Sequence, residues 1–129
     1  MLQKLSDNRW VARSRVKRFG TVGTITLVQI PRNALIEEIY TRIATAWGST
    51  TVIEIGGTDN EVSITDANGF MTSPEVDPKV TGMKRMSGGV APWSQGAYWK
   101  KGGTITCAIT AGNATVGDVE IFVLYTQIF

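Results

Sequence analysis

Three aromatic side chains, Trp93, Tyr98 and Trp99, stand beside Lys100 and Lys101. Rings next to ammonium groups can bind sugar or single-stranded nucleic acid, since a π face stacks on a ring and a cation holds phosphate. The same rings bury a large area, and at a strand start they more often serve a core or an interface. Acid–base chemistry has thinner support. Glu37 and Glu38 are adjacent, so on a strand they point to opposite faces and cannot work as a pair. Asp59, Glu61 and Asp66 surround a glycine-containing turn but lack the ligand spacing of a calcium loop, so a solvated acidic turn is expected. The chain has no histidine, which removes the commonest general base and metal ligand and leaves the serines without a partner. Its glycines are not followed by the strand–loop–helix context of a phosphate cradle. Cys107 is the single cysteine, so no internal disulfide can form, and its alternating surroundings suggest a small buried hydrophobe. No catalytic residue, no metal and no cofactor are expected, and the chain reads as a non-enzyme.

Binding is the class left, and charge bears on it. The net charge of +2 over 129 residues hides an asymmetry. Residues 1–18 carry Lys4, Arg9, Arg13, Arg15, Lys17 and Arg18 against Asp7 alone. The remaining residues carry seven basic and ten acidic groups. A basic arm at residues 1–19 on a mildly acidic domain at residues 20–129 is therefore expected. Within the arm, Trp10, Ala12, Ser14 and Val16 alternate with Val11, Arg13, Arg15 and Lys17. That spacing fits an extended arm with a basic face better than a helix. The arm reads either as a solvated terminus or as a tether to an acidic surface, with Trp10 as its apolar anchor. On the tether reading it is dispensable for folding and necessary for tight docking. The acidic body argues against nucleic acid as a direct partner. No run of about 18 apolar residues would span a membrane, and the N-terminus lacks the apolar region of a secretory signal.

The elements that must position these residues are best seen in residues 21–56, the longest stretch of regular apolar spacing. Residues 21–30 and 51–55 read as strands, with a bulge expected near Gly23 or Gln29 in the first. Between them, Leu35, Ile36, Ile39, Tyr40, Ile43, Ala44 and Trp47 fall on one helical face. The isoleucines, threonines, Tyr40 and Trp47 nevertheless suit a pleated surface, and a strand is expected over residues 35–47. Residues 56–60 and Asn68-Gly69 read as turns. Residues 66–95 are the least regular part, with a short strand possible over 80–86. Phe70, Met71, Met83, Met86 and Trp93 are too many apolar groups for a solvated loop, so they cover a core end or meet another subunit. Residues 104–110 alternate Ile105, Cys107 and Ile109 with threonines and Ala108, a half-buried strand. Residues 118–129 carry Val119, Ile121, Val123 and Tyr125 on one face and Phe122 and Leu124 on the other. Apolar groups on both faces call for cover on both sides.

Ile30-Pro31, the apolar segment 35–47, the TVIEIG strand at 51–56 and the GGTIT…VLY segment at 102–125 together resemble small structural proteins of tailed bacteriophage virions, of the capsid decoration or cement type. The resemblance covers about residues 20–128 and does not extend to the basic arm. It implies an all-β, jelly-roll-like β-sandwich with an extended N-terminal arm, and a homotrimer on the outer capsid surface that strengthens the assembled head shell. The expected partner is the major capsid protein. The expected capsid contacts on the arm are Arg9, Trp10, Arg13, Arg15, Lys17 and Arg18. The expected oligomer interface is Phe122, Leu124 and Phe129. The alternatives are a phage tail, baseplate or fibre component, or a carbohydrate-binding module for host attachment that uses Trp93, Tyr98 and Trp99.

Overall fold

The structure, a computed structural model, describes residues 2–5, 8–16, 23–48, 51–86, 89–111 and 117–128. Among them every regular element is a β-strand: β1 (Leu2–Lys4), β2 (Arg9–Val16), β3 (Gly23–Ile30), β4 (Ala34–Thr45), β5 (Val52–Asp59), β6 (Ile64–Met71), β7 (Gly82–Arg85), β8 (Ala97–Trp99), β9 (Gly103–Ala111) and β10 (Asp118–Gln127). One sheet runs β1-β2-β10-β4-β7, with β8 also paired to β4. The other runs β3-β9-β5-β6. The pairing is antiparallel and nested. β2 pairs with β10, β3 with β9, β4 with β7 and β8, and β5 with β6. A long hairpin whose tip is the β5–β6 turn, rolled so that successive pairs alternate between sheets, is the jelly roll. The all-β, jelly-roll sandwich expected from the sequence is what the chain forms.

The segment that could have been a helix is β4, a strand of 12 residues. Two register shifts against β10 explain its helix-like spacing. Leu124 pairs with Glu38 and Tyr125 with Ile36, which leaves Glu37 as an extra residue. Val119 pairs with Ile43 and Asp118 with Thr45, which leaves Ala44 extra. Each bulge shifts the alternation by one residue. The buried positions that face the core therefore fall at Ala34, Ile36, Ile39, Thr41 and Ile43, with a step of three in the middle. β3 has the same device at Leu27 rather than at Gly23 or Gln29, since its pairing with β9 shifts between Thr26 and Val28. Ser14 Oγ, from the opposite sheet, donates to the Leu27 carbonyl at 2.9 Å and satisfies the bulged backbone.

Two expected turns are strands. β5 continues through Gly56 and Gly57 to Asp59, and the chain reverses at residues 60–63. A side chain at Gly57 would overlap the Thr104 carbonyl of β9, so glycine there lets two backbones approach. Asn68-Gly69 lies within β6, where pairing jumps from Gly57↔Asp66 to Ile55↔Met71 and the strand bends without reversing. A side chain at Gly69 would overlap the Trp93 ring.

The core fills the space between the sheets. Ile36, Ile39, Ile43, Val119, Ile121 and Val123 from one sheet meet Ile53, Ile55, Ile105, Cys107 and Ile109 from the other, all buried. Phe70, Met71 and Met86 join them with no exposed surface, whereas Met83 is exposed. The basic N-terminal segment also contributes. β2 pairs with β10 over eight residues and buries Ala12 and Val16. Over Arg9–Val16 the segment expected as a basic arm on a domain at residues 20–129 is instead a strand of the sandwich. Its charges sit on one face of the strand, and its other face is part of the core.

Candidate functional site

β2 alternates, so Trp10, Ala12, Ser14 and Val16 face inward and Val11, Arg13 and Arg15 face outward. Pairing then decides what lies beside them. Val11 is opposite Leu124, Arg13 opposite Phe122 and Arg15 opposite Glu120. On the other side of β10, Phe122 is opposite Tyr40 and Glu120 opposite Arg42. β7 adds Arg85 beside Tyr40 and Met83 beside Arg42. The outer face of this sheet therefore carries an open apolar groove of about 310 Å³, lined by Val11, Tyr40, Met83, Phe122 and Leu124.

Arginines ring the groove, each tied to a carboxylate lying deeper than itself. Arg13 Nε donates to Glu120 Oε2 at 2.7 Å, and Arg42 Nη1 donates to Glu120 Oε1 at 2.6 Å. The hydrogen bonds from Arg13 and then Arg42 hold the Glu120 carboxyl below its usual range. Arg15 grips Asp118 with both arms of its fork, at 2.9 and 2.6 Å, which raises the guanidinium pKa further. Arg85 reaches Glu38 at 3.4 Å and stacks on Tyr40 at 5.1 Å from the ring centre. At the margin, Arg9 meets Glu37 at 3.2 Å, and Thr126 Oγ1 donates to the same Glu37 oxygen at 2.6 Å. Glu37 and Glu38 thus serve different arginines. The carboxylates of Glu120, Glu38 and Asp118 are 10–16% exposed, while the guanidinium side chains above them are 40–58% exposed. Solvent meets cations around an apolar floor.

Arg9, Arg13, Arg15, Phe122 and Leu124, expected as two separate contact sets, lie on this one sheet face. Lys17, Arg18 and Phe129 lie outside the described residues. Trp10 is partly buried on the inner face of β2, away from the arginines. It packs against the core, with Lys4 Nζ 5.8 Å from its ring. The aromatic trio does not share one exposed face. Trp99 is 1% exposed and Trp93 half-buried, and with Phe70 they form one cluster with ring centres 5.0–5.7 Å apart. A side chain at Gly103 would overlap the Trp99 ring, so that glycine seats the tryptophan. Of the three, only Tyr98 is exposed, and its hydroxyl reaches Asn33 Oδ1 at 3.3 Å. Val11, Tyr40, Arg42, Met83 and Arg85 are groove residues that sequence reasoning did not assemble. Alternation within residues 80–86 does place Met83 and Arg85 on one face.

Nucleophile chemistry has little footing. Burial pushes the Cys107 thiol up to about 12, so it carries almost no thiolate near neutral pH. Asp59 accepts the Glu61 amide at the β5–β6 turn, and Asp66 accepts the Asn68 amide at the bend within β6, so both carboxylates bond the local backbone.

No protein-family model matches the chain, and no curated protein is similar to it in sequence. Solved structures are similar in fold. A chain of the acid-stable capsid of Helicobacter pylori bacteriophage KHP30 superposes with a TM-score of 0.69 at 18% identity, covering 98% of this chain and 93% of that one. A chain of the Ralstonia phage GP4 capsid gives 0.68 at 12% identity, with 98% and 89% covered. A chain of the cyanophage Pam1 capsid asymmetric unit gives 0.58 at 16% identity, with 97% and 89% covered. The jelly roll built here around an arginine-ringed groove is thus a fold shared, over nearly its whole length, with chains found in three phage capsids.

Proposed function

We propose that this chain is a structural protein of a phage virion, without enzymatic activity, that decorates the outer surface of the assembled head shell and cements it. The observation that carries this reading is the two-way coverage: chains of nearly the same length and fold occur in three phage capsids. The partner is the major capsid protein in its assembled form.

The mechanism is mass action. A ligand that binds the lattice and not its separated subunits stabilises the lattice by RT ln(1 + [L]/Kd), about 2.7 kcal/mol per site at 100 Kd. Such binding needs only a rigid, complementary face. A homotrimer formed through another surface would add avidity, since linked contacts raise effective concentration. The test is co-sedimentation with phage capsids stripped of their accessory proteins. The protein should pellet with the capsids and saturate at a fixed ratio. It should not bind duplex DNA or glycan-coated beads. Binding to glycans with capsids ignored would reject this reading in favour of host attachment.

A further inference from the structure

We propose that the groove between β2, β10, β4 and β7 is the docking site for a protein surface that presents one or two apolar side chains flanked by carboxylates. On the decoration reading above, on which the partner's identity rests, that surface belongs to the capsid shell.

The groove's size and lining decide its class of occupant. At about 310 Å³ it is at the small end of ligand sites, roughly 300–1,000 Å³. Small-molecule sites add convergent polar groups that orient the ligand, whereas Val11, Tyr40, Met83, Phe122 and Leu124 line this one with aliphatic, aromatic and thioether surface. It is open rather than enclosed, which suits side chains delivered by another protein. Met83 is 60% exposed at its rim, and methionine adapts to the shape that enters. An apolar centre with an arginine rim is the composition of an interface hot spot.

Charge then selects between a second copy and a different protein. The Arg13 and Arg42 guanidiniums both lie above the deeper Glu120 carboxylate and are 40% and 53% exposed against its 10%, so the groove's edge shows solvent its cations. Arg15 and Arg85 lie above their deeper carboxylates and face outward as well. A second copy laid face to face would set this cationic rim against itself, which is costly in a desolvated interface. A partner with carboxylates around its apolar side chains would meet each guanidinium with an acceptor. Both contact sets expected from the sequence, basic and apolar, then belong to one interface with one partner.

The experiment uses the full chain and stripped phage capsids as the probe. Met83→Asp and Arg42→Glu each change an exposed side chain on the groove. Thr110→Asp changes an exposed side chain on β9 of the opposite sheet and serves as the control. Met83→Asp and Arg42→Glu should each weaken capsid binding at least tenfold, Met83→Asp with unchanged melting and Arg42→Glu with a cooperative melt lowered by the like charge it sets opposite Glu120, and Thr110→Asp should stay within twofold of the unaltered chain. Capsid binding that survives both groove variants overturns the face assignment while leaving the decoration reading intact. An unaltered chain that sediments as an oligomer, and becomes a monomer on Met83→Asp, makes a second copy the occupant and overturns the proposal. An unaltered chain that ignores capsids refutes the decoration reading itself and the partner with it.

Discussion

Glu120 shows how a single carboxylate can organise a surface. It lies low between Arg13 and Arg42 and accepts from both. Pairs between half-exposed groups stabilise a fold only slightly, about 0–1 kcal/mol each. Their larger effect is to hold guanidiniums in place, so that less side-chain entropy is lost when a partner arrives. The pH consequence has a definite sign. The folded-state pKa of Glu120 is lowered, so its contribution is present above the unfolded carboxylate value of about 4.3 and is lost as pH falls through the folded value. Glu120→Gln should therefore flatten the loss of thermal stability below about pH 4.3, measured as melting temperature against pH. Cys107 gives a second residue-scale prediction. Its thiol is fully buried and pushed up to about 12, so iodoacetamide at pH 8 should leave the folded protein unlabelled and label it after denaturation.

At the scale of elements, β2 and β4 carry the account. β2 is an interior strand of its sheet, flanked by β1 and β10. Removing residues 1–18 would uncover the β10 edge and the inner side chains of Ile121 and Val123. The shortened chain should fail to give a cooperative melt by circular dichroism, whereas a dispensable arm would leave the melt unchanged. Ile39, just past the first bulge of β4, is fully buried, and Ile39→Ala should cost about 2–5 kcal/mol in denaturant unfolding. These two strands also show what a sequence reveals. The alternation of β9 and β10 was legible because each strand keeps its phase over the buried residues. β4 was ambiguous because its bulges insert steps that imitate a helix. β2 displayed its alternation openly, yet its arginines read as solvent-facing on a loose arm, since nothing local says that Ala12 and Val16 meet a distant strand. Gly57 and Gly69 resembled turn residues because their requirement comes from the Thr104 carbonyl and the Trp93 ring, which only the fold brings near. The groove was legible as parts. Arg13 and Phe122 could each be named as contacts, but their adjacency is a matter of register between strands at opposite ends of the chain.

At the scale of the whole molecule, the nested pairing of first strands with last makes nearly every sheet contact long-range. Folds of this kind close large loops before contacts reward them, so folding in milliseconds to seconds is expected, rather than microseconds. The same topology leaves one sheet face apolar at its centre and cationic at its rim, while the opposite face of that sheet is spent on the core. A rigid plate with one prepared side is what a lattice-binding protein requires. The fold is shared with chains of three phage capsids at 12–18% identity, which core packing allows, since volume and apolar pattern specify a fold without residue identity. The most direct measurement is the disruption temperature of stripped phage capsids titrated with this protein, followed by light scattering. The account predicts a rise that saturates at a fixed ratio of protein to capsid subunit, with no tight binding to unassembled subunits. A disruption temperature unmoved at saturating protein, or equal affinity for unassembled subunits, would contradict it.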